Sequence, residues 1–304
     1  MKRLRVVLTI ALLAGATSAC RGPGSWFGMK RQPPSDAITI AASFYPIAEI
    51  VERVGGDKVN VLNLTPAGTD AHEVELTAQQ LQQLQDAKVT FYLGEKFQPS
   101  IFKAISSVKS PTVDLLKVTP AKGFSCGTCE SDPHVWLDPA NMILMTDAVA
   151  NELSAARPDL ADMIASNASA YKQELTEVGS LIDTKFKHCA STMLVTSHWS
   201  FGYFAARAGL VPSSLNALNP DGQLSAQQLE KLTTELKNAH VSTVFSEEMV
   251  ASTLVTTVAK AIGASVDALQ PLEGITNADL KAGNNYISVQ RENISRIAKG
   301  LHCS

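Results

Sequence analysis

Three histidines of this chain, His72, His134 and His198, stand in segments where side chains can converge on a cleft. His72 ends the stretch Pro66-Ala67-Gly68-Thr69-Asp70-Ala71-His72, which follows an apolar run at 59–64. His134 lies in Asp132-Pro133-His134-Val135-Trp136-Leu137-Asp138-Pro139, a proline-bracketed loop ahead of a long helical pattern. His198 directly follows the strand-like segment 192–196. Neutral imidazole is the commonest protein ligand for zinc and is available near neutral pH. Spacing alone does not compel a metal site: successive members lie more than 60 residues apart, and no CxxC or HExxH-type pattern joins them. For each histidine a solvated or capping side chain is the alternative. His188, His240 and His302, at a helix end, before a strand and near the C-terminus, read as ordinary surface residues.

The elements that would position these residues follow from periodicity. Short β-leaning runs are expected at 37–42, 59–64, 88–93, 112–115, 192–196, 241–245 and 265–269. Helical patterns intervene at 46–54, 76–86, 200–208, 224–238 and 251–262, and a closing helix is expected at 286–301. Strands alternating with helices argue for parallel α/β architecture. From 139 to about 187 the pattern is helical throughout, with Pro158 a kink or a break. The expected organisation is an N-terminal α/β lobe at 37–138, a connecting helix at 139–187 and a C-terminal α/β lobe at 188–304. Ligands of such sheets bind at the carboxyl ends of strands, where the three histidines fall.

Composition bounds the function. With 304 residues, 45% hydrophobic and 18% charged, the chain has ample apolar side chain for a core. A formal charge of −3 argues against nucleic acid as the main partner. Residues 1–19 have the order of a secretory signal peptide: Lys2, Arg3 and Arg5, an apolar run, then Thr17-Ser18-Ala19. Cys20 follows directly, as in a lipobox whose cysteine is acylated, although Thr17 stands where Leu is usual; ordinary cleavage is the alternative. Residues 20–36 carry Gly and Pro without periodicity and read as a flexible tether. Five cysteines is an odd count for an exported chain, and acylating Cys20 leaves four. The favoured pairing is Cys126–Cys129 with Cys189–Cys303, one of three that four cysteines allow. For Cys126-Gly127-Thr128-Cys129 a soft-metal or redox role remains the alternative to a loop-stiffening disulfide.

Over about residues 38–303 the order of motifs resembles the metal-binding solute receptors of zinc and manganese ABC importers. The matching stretches are Ala42-Ser43-Phe44-Tyr45-Pro46, Leu64-Thr65-Pro66-Ala67-Gly68-Thr69-Asp70-Ala71-His72-Glu73, the His134 octapeptide, Ser197-His198-Trp199-Ser200-Phe201-Gly202-Tyr203-Phe204 and Val244-Phe245-Ser246-Glu247-Glu248. The resemblance implies two lobes joined by a long rigid helix, and His72, His134 and His198 as the first three metal ligands. Manganese receptors of the family often carry a carboxylate at the position of His198. Three nitrogens suit Zn²⁺ better than the harder Mn²⁺, so zinc is the expected cargo. The family's fourth ligand is commonly the Asp of an Asp-Pro-Leu stretch, which here reads Gln270-Pro271-Leu272. An amide brings no charge to offset a dication, which leaves the fourth position to Gln270, to water, or to a carboxylate such as Asp70 or Glu247. Glu247 is read chiefly as orienting a histidine. Many zinc receptors also carry a His- and acid-rich loop, whereas 119–131 holds the CxxC and no histidine.

The expected function is that of a receptor, not an enzyme: a monomer outside the cytoplasm, tethered to the membrane by lipid, that passes Zn²⁺ to an ABC importer permease. A metallochaperone is a conceivable further partner. Manganese binding, an adhesin-like surface lipoprotein and a zinc hydrolase are the alternatives.

Overall fold

The computed structural model describes residues 34–120, 132–215, 225–247 and 253–304. The expected signal peptide, Cys20, most of the tether, and Cys126 and Cys129 lie outside the described residues. No helix among those described is long and apolar enough to cross a membrane.

Two parallel sheets form the body. The first lobe runs β1 (Ile38–Ala42), α1 (Tyr45–Gly55), β2 (Val59–Asn63), α2 (Ala78–Gln85), β3 (Val89–Tyr92), α3 (Pro99–Ile105) and β4 (Thr112–Asp114). Its strand order is β2-β1-β3-β4, with Ile38 opposite Val59 and Ile40 opposite Val89. Two helices follow, α4 (Pro139–Ala156) and α5 (Ala161–Lys185). The second lobe runs β5 (Met193–Thr196), α6 (Gly202–Ala208), β6 (Val211–Ser214), α7 (Ala226–Asn238), β7 (Thr243–Glu247), α8 (Thr253–Ile262), β8 (Ser265–Leu269), α9 (Asn277–Ala282) and α10 (Tyr286–Gly300). Its order, β6-β5-β7-β8, repeats that of the first sheet. In each sheet the chain reverses its direction of winding beside the first strand, which opens a crevice at the carboxyl ends of β1 and β3, and of β5 and β7. Those ends carry the loops of the site.

The segment 139–187, read from sequence as a connecting helix, is a pair of packed helices. Pro158 has no N–H to continue the ladder, so the chain leaves α4 at Arg157, makes a 3-10 turn at Pro158–Leu160 and starts α5. Helix α5 packs on both lobes, touching α1 on one side and α6 and α10 on the other. Its buried residues Ile164, Ala168, Tyr171, Leu175, Val178 and Ile182 recur at steps of three and four, one stripe along the helix. They join a single apolar core that takes in Ile40 and Phe91 of the first lobe and Phe245 and Ile297 of the second. The start of α4 is written locally: Asp138 accepts from the Ala140 amide, and Pro139 occupies the first turn, where its missing N–H is no loss. This cap fixes where the His134 loop ends. Strand β6 and helix α3 escape a periodicity reading because both are short and β6 contains Pro212.

Cys189 and Cys303 form a disulfide that ties the end of α5 to the C-terminus across 114 residues of chain. A native disulfide is typically worth roughly 2–4 kcal/mol. Replacing both cysteines by alanine should lower the unfolding free energy of the metal-free protein by that amount. Denaturant titration checks this, with reduced wild type falling to the same midpoint.

Candidate metal centre

Two of the histidines are placed by one local device. In Asp70-Ala71-His72 and in Asp132-Pro133-His134 the aspartate accepts a hydrogen bond from the histidine's backbone N–H, at 2.8 and 2.9 Å. This turn lets an aspartate two residues earlier set the direction of the histidine. The His72 loop is held further by buried Gln98, whose Nε2 donates to Thr65 Oγ1 at 2.9 Å and to the Ala71 carbonyl at 3.1 Å. The Phe97 ring meets His72 edge-on, with centroids 4.9 Å apart. His198 comes directly off β5 at the crevice. Its N–H donates to Glu247 Oε1 at 3.1 Å, from the end of neighbouring β7.

These loops bring His72, His134 and His198 together with a residue that sequence reasoning missed, Glu273. One ligand atom from each lies within 4.8 Å of all the others, and this is a four-residue cluster able to hold a metal ion. Glu273 Oε1 is 2.9 Å from His198 Nε2, 3.0 Å from His134 Nε2 and 3.5 Å from His72 Nε2. Donors at the corners of a tetrahedron around zinc, with bonds of about 2.0–2.1 Å, stand about 3.3–3.4 Å apart. The buried Nε2 atoms of His72 and His134 face Glu273 Oε1 without the alignment of a hydrogen bond, which suits them to a cation. His134 and His198 are fully enclosed, whereas the His72 side chain is 15% exposed.

The other candidates fall elsewhere. Asp70 shapes the His72 turn. Gln270 turns its Oε1 back on the Leu272 N–H at 2.9 Å, while its own backbone N–H and C=O are both bound by the Asn293 side chain. Leu272 has a left-handed backbone, φ +61°, which swings the chain so that Glu273 faces the histidines three residues after Gln270. The signal available in sequence was that Glu273 is the only acid between Asp267 and Asp279, just past a strand.

Glu247 stands behind His198. Its Oε2 lies 2.6 Å from His198 Nδ1 and accepts from Ser200 Oγ at 2.7 Å, while Oε1 accepts from Ser197 Oγ at 3.1 Å. Asp132, not singled out in the sequence, does the same for His134, with Oδ1 2.7 Å from Nδ1. Each pair leaves Nε2 to face the centre and fixes the ring's orientation. A side chain at Gly202 would bring its Cβ within 2.5 Å of Asp132 Oδ2, so only glycine leaves room for this carboxylate.

In the metal-free protein the same contacts load the site with protons. Burial disfavours charge on His134, but Asp132 and Glu273 overcome it and hold its pKa at about 9. Burial likewise opposes charge on His198, and Glu247 and Glu273 raise it well above the ordinary value. Burial would push Glu273 up; the histidines around it, His198 foremost, pull it well below the usual carboxylate range. The raised histidines contribute stability that is fully present below 6.5, their ordinary value, and that His134 loses as pH rises through about 9. Glu273 contributes stability present above 4.5 and lost as pH falls through its depressed value. In chemical denaturation of metal-free protein these three groups should therefore contribute most to stability between about pH 4.5 and 6.5, and their contribution should fall toward pH 9.5. The alkaline fall should shrink in His134→Gln.

The chain has clear relatives. Residues 40–300 match the family described as "Zinc-uptake complex component A periplasmic". The chain is 31% identical over 275 residues to the zinc-binding lipoprotein AdcA of Streptococcus pneumoniae strain R6, a match that covers 86% of this chain and 55% of AdcA. It thus spans about half the length of that relative. The fold is similar to the Zn(II)-bound ZnuA-like domain of the same species' AdcA, with TM-score 0.76, 31% identity and coverage of 87% of this chain and 99% of that domain. It is similar also to Lmb of Streptococcus agalactiae, described as a bifunctional protein with adhesin and metal transporting activity, with TM-score 0.78, 26% identity and coverage of 87% and 100%. With two parallel-sheet lobes, a buried three-histidine, one-glutamate centre between them and a family match across nearly the whole described body, the chain belongs to the zinc-uptake complex component A family.

Proposed function

We propose that this protein captures Zn²⁺ through His72, His134, His198 and Glu273 and delivers it to an ABC-type importer in the membrane. The observation that carries the reading is the convergence of three imidazole Nε2 atoms on one carboxylate oxygen at 2.9–3.5 Å in a buried site. Three nitrogens and one oxygen suit a borderline-soft cation with tetrahedral preference better than Mn²⁺, which favours oxygen donors and higher coordination. Glu273 supplies the negative charge that Gln270 could not. Four protein ligands also fill a tetrahedral shell, whereas a hydrolytic zinc keeps a position open for water, so the donor set favours carriage over catalysis. The reading places Cys20 as the site of lipid attachment and the body outside the cytoplasm, in keeping with the periplasmic description of the family and the lipoprotein name of its relative. Surface adhesion is a second activity open to this fold, on the likeness to Lmb.

Capture must displace protons, because His134 and His198 are both raised and Zn²⁺ needs neutral imidazole. Apparent zinc affinity should climb steadily with pH from 6 to about 9, a window higher than unperturbed imidazoles would give. Proton release measured in weakly buffered solution should exceed that of an exposed three-histidine peptide.

Competitive titration against a chromogenic chelator tests the ligand set. Wild type should bind one zinc per chain tightly. His72→Ala, His134→Ala, His198→Ala and Glu273→Ala should each weaken binding by about a hundredfold or more, and Gln270→Ala should change it by less than about fivefold. Equal binding in wild type and Glu273→Ala would remove Glu273 from the site.

A further inference from the structure

Glu273 stands on a loop whose base and flanks are held by different lobes. Within the second lobe, Asn293 of α10 clamps the backbone N–H and C=O of Gln270 at 3.0 and 2.8 Å. Beyond that anchor come Pro271, the left-handed Leu272 and Glu273 itself. The carbonyls on either side of Glu273 are engaged from the first lobe. Pro271 O accepts from Trp136 Nε1 at 2.7 Å, and Ile275 O accepts from the Gly68 N–H at 3.0 Å. A left-handed leucine is disfavoured backbone, so the loop gains by relaxing wherever these ties are absent.

Trp136 is suited to the task. It lies two residues after His134, is fully buried, and packs its indole against His134, Phe44 and Phe97 at centroid distances of 5.1, 4.8 and 5.2 Å. Its own carbonyl accepts from Tyr286 Oη at 2.6 Å, and the Tyr286 N–H donates to buried Glu49 Oε2 at 2.7 Å. The indole is thus a rigid arm, seated at both ends, that runs from the His134 loop to the Glu273 loop. Its only donor is the one that reaches Pro271.

We propose that Trp136 is a positioning residue for cation capture: its indole N–H, donated across the cleft to Pro271, holds the Glu273 loop at the distance the three histidines require. The proposal rests on the reading of Glu273 as fourth ligand. Without the N–H, the loop samples positions in which Glu273 is withdrawn, and bound zinc is held by three histidines for part of the time.

Trp136→Phe keeps an aromatic ring in place and deletes the donor. Zinc should bind about ten- to a hundredfold more weakly, through a faster dissociation rate. In a Glu273→Gln background the further loss from Trp136→Phe should shrink to within about twofold, because Trp136 acts through Glu273. Amide hydrogen exchange of metal-free protein supplies a readout that needs no zinc: residues 270–276 should exchange faster in Trp136→Phe, with β5 and β7 unchanged. Wild-type affinity in Trp136→Phe, or an undiminished loss in the Glu273→Gln background, would overturn the proposal. If wild type takes up no zinc, the cargo reading fails by itself, and unchanged exchange at 270–276 overturns the role of Trp136 separately. Should Trp136→Phe fail to fold, Tyr286→Phe, which unseats the same arm, should weaken zinc about three- to tenfold, and wild-type binding there would overturn the proposal.

Discussion

A single carboxylate oxygen surrounded by three imidazole nitrogens in a buried site is the constraint from which the rest of this structure follows. Burying a lone carboxylate is costly, and burying a lone imidazolium is costly too. Here the groups offset one another: Glu273 favours protons on His134 and His198, and those protons stabilise Glu273 as an anion. Protons thus stand where a dication can stand. Asp132 and Glu247 strengthen this arrangement from behind by binding the outward nitrogens, and they fix which nitrogen of each ring faces inward.

Holding four such groups within 4.8 Å of one another demands four loops that do not drift. The fold supplies them from the carboxyl side of two sheets with the same strand order, so both crevices open toward a common centre. The lobes are not free bodies on a flexible linker. One apolar core runs through both, α5 packs against each, and Glu49 of α1 ties into the first turn of α10 through the Tyr286 amide. Glu49 is itself buried, with a carboxyl pushed up by burial, and is held by the Tyr45 hydroxyl at 2.5 Å. A shared core resists wide hinge opening. The Glu273 loop, with its left-handed leucine, is tied to the first lobe by two cross-cleft hydrogen bonds.

Much was determined by sequence alone: the alternation of strands and helices that gives a two-lobed parallel α/β fold, and the three histidines that end up in one place. Both depend on local rules. Apolar runs of period two or near 3.6 define elements whatever surrounds them, and Asp-x-His turns and the Asp138-Pro139 cap act within a few residues. The Cys189–Cys303 pair, one of three open pairings, also appears as expected. Glu273 is the opposite case. A motif reading looks at Gln270, because family position is counted along the chain, whereas the chain turns through a left-handed residue at Leu272 before it faces the histidines. Nothing in a one-dimensional pattern reports a positive φ at leucine, since leucine seldom adopts it. Asp132 and Trp136 were visible as letters in a motif; the partner of Asp132 is His134, two residues on, whereas that of Trp136 is Pro271, across the cleft. The division of 139–187 into two helices was half legible, through Pro158; that the second touches both lobes depends on packing. Sequence determines what is set by neighbours in the chain, and tertiary structure decides which distant carboxylate completes the site, because only folding brings charges together at a low enough dielectric to matter.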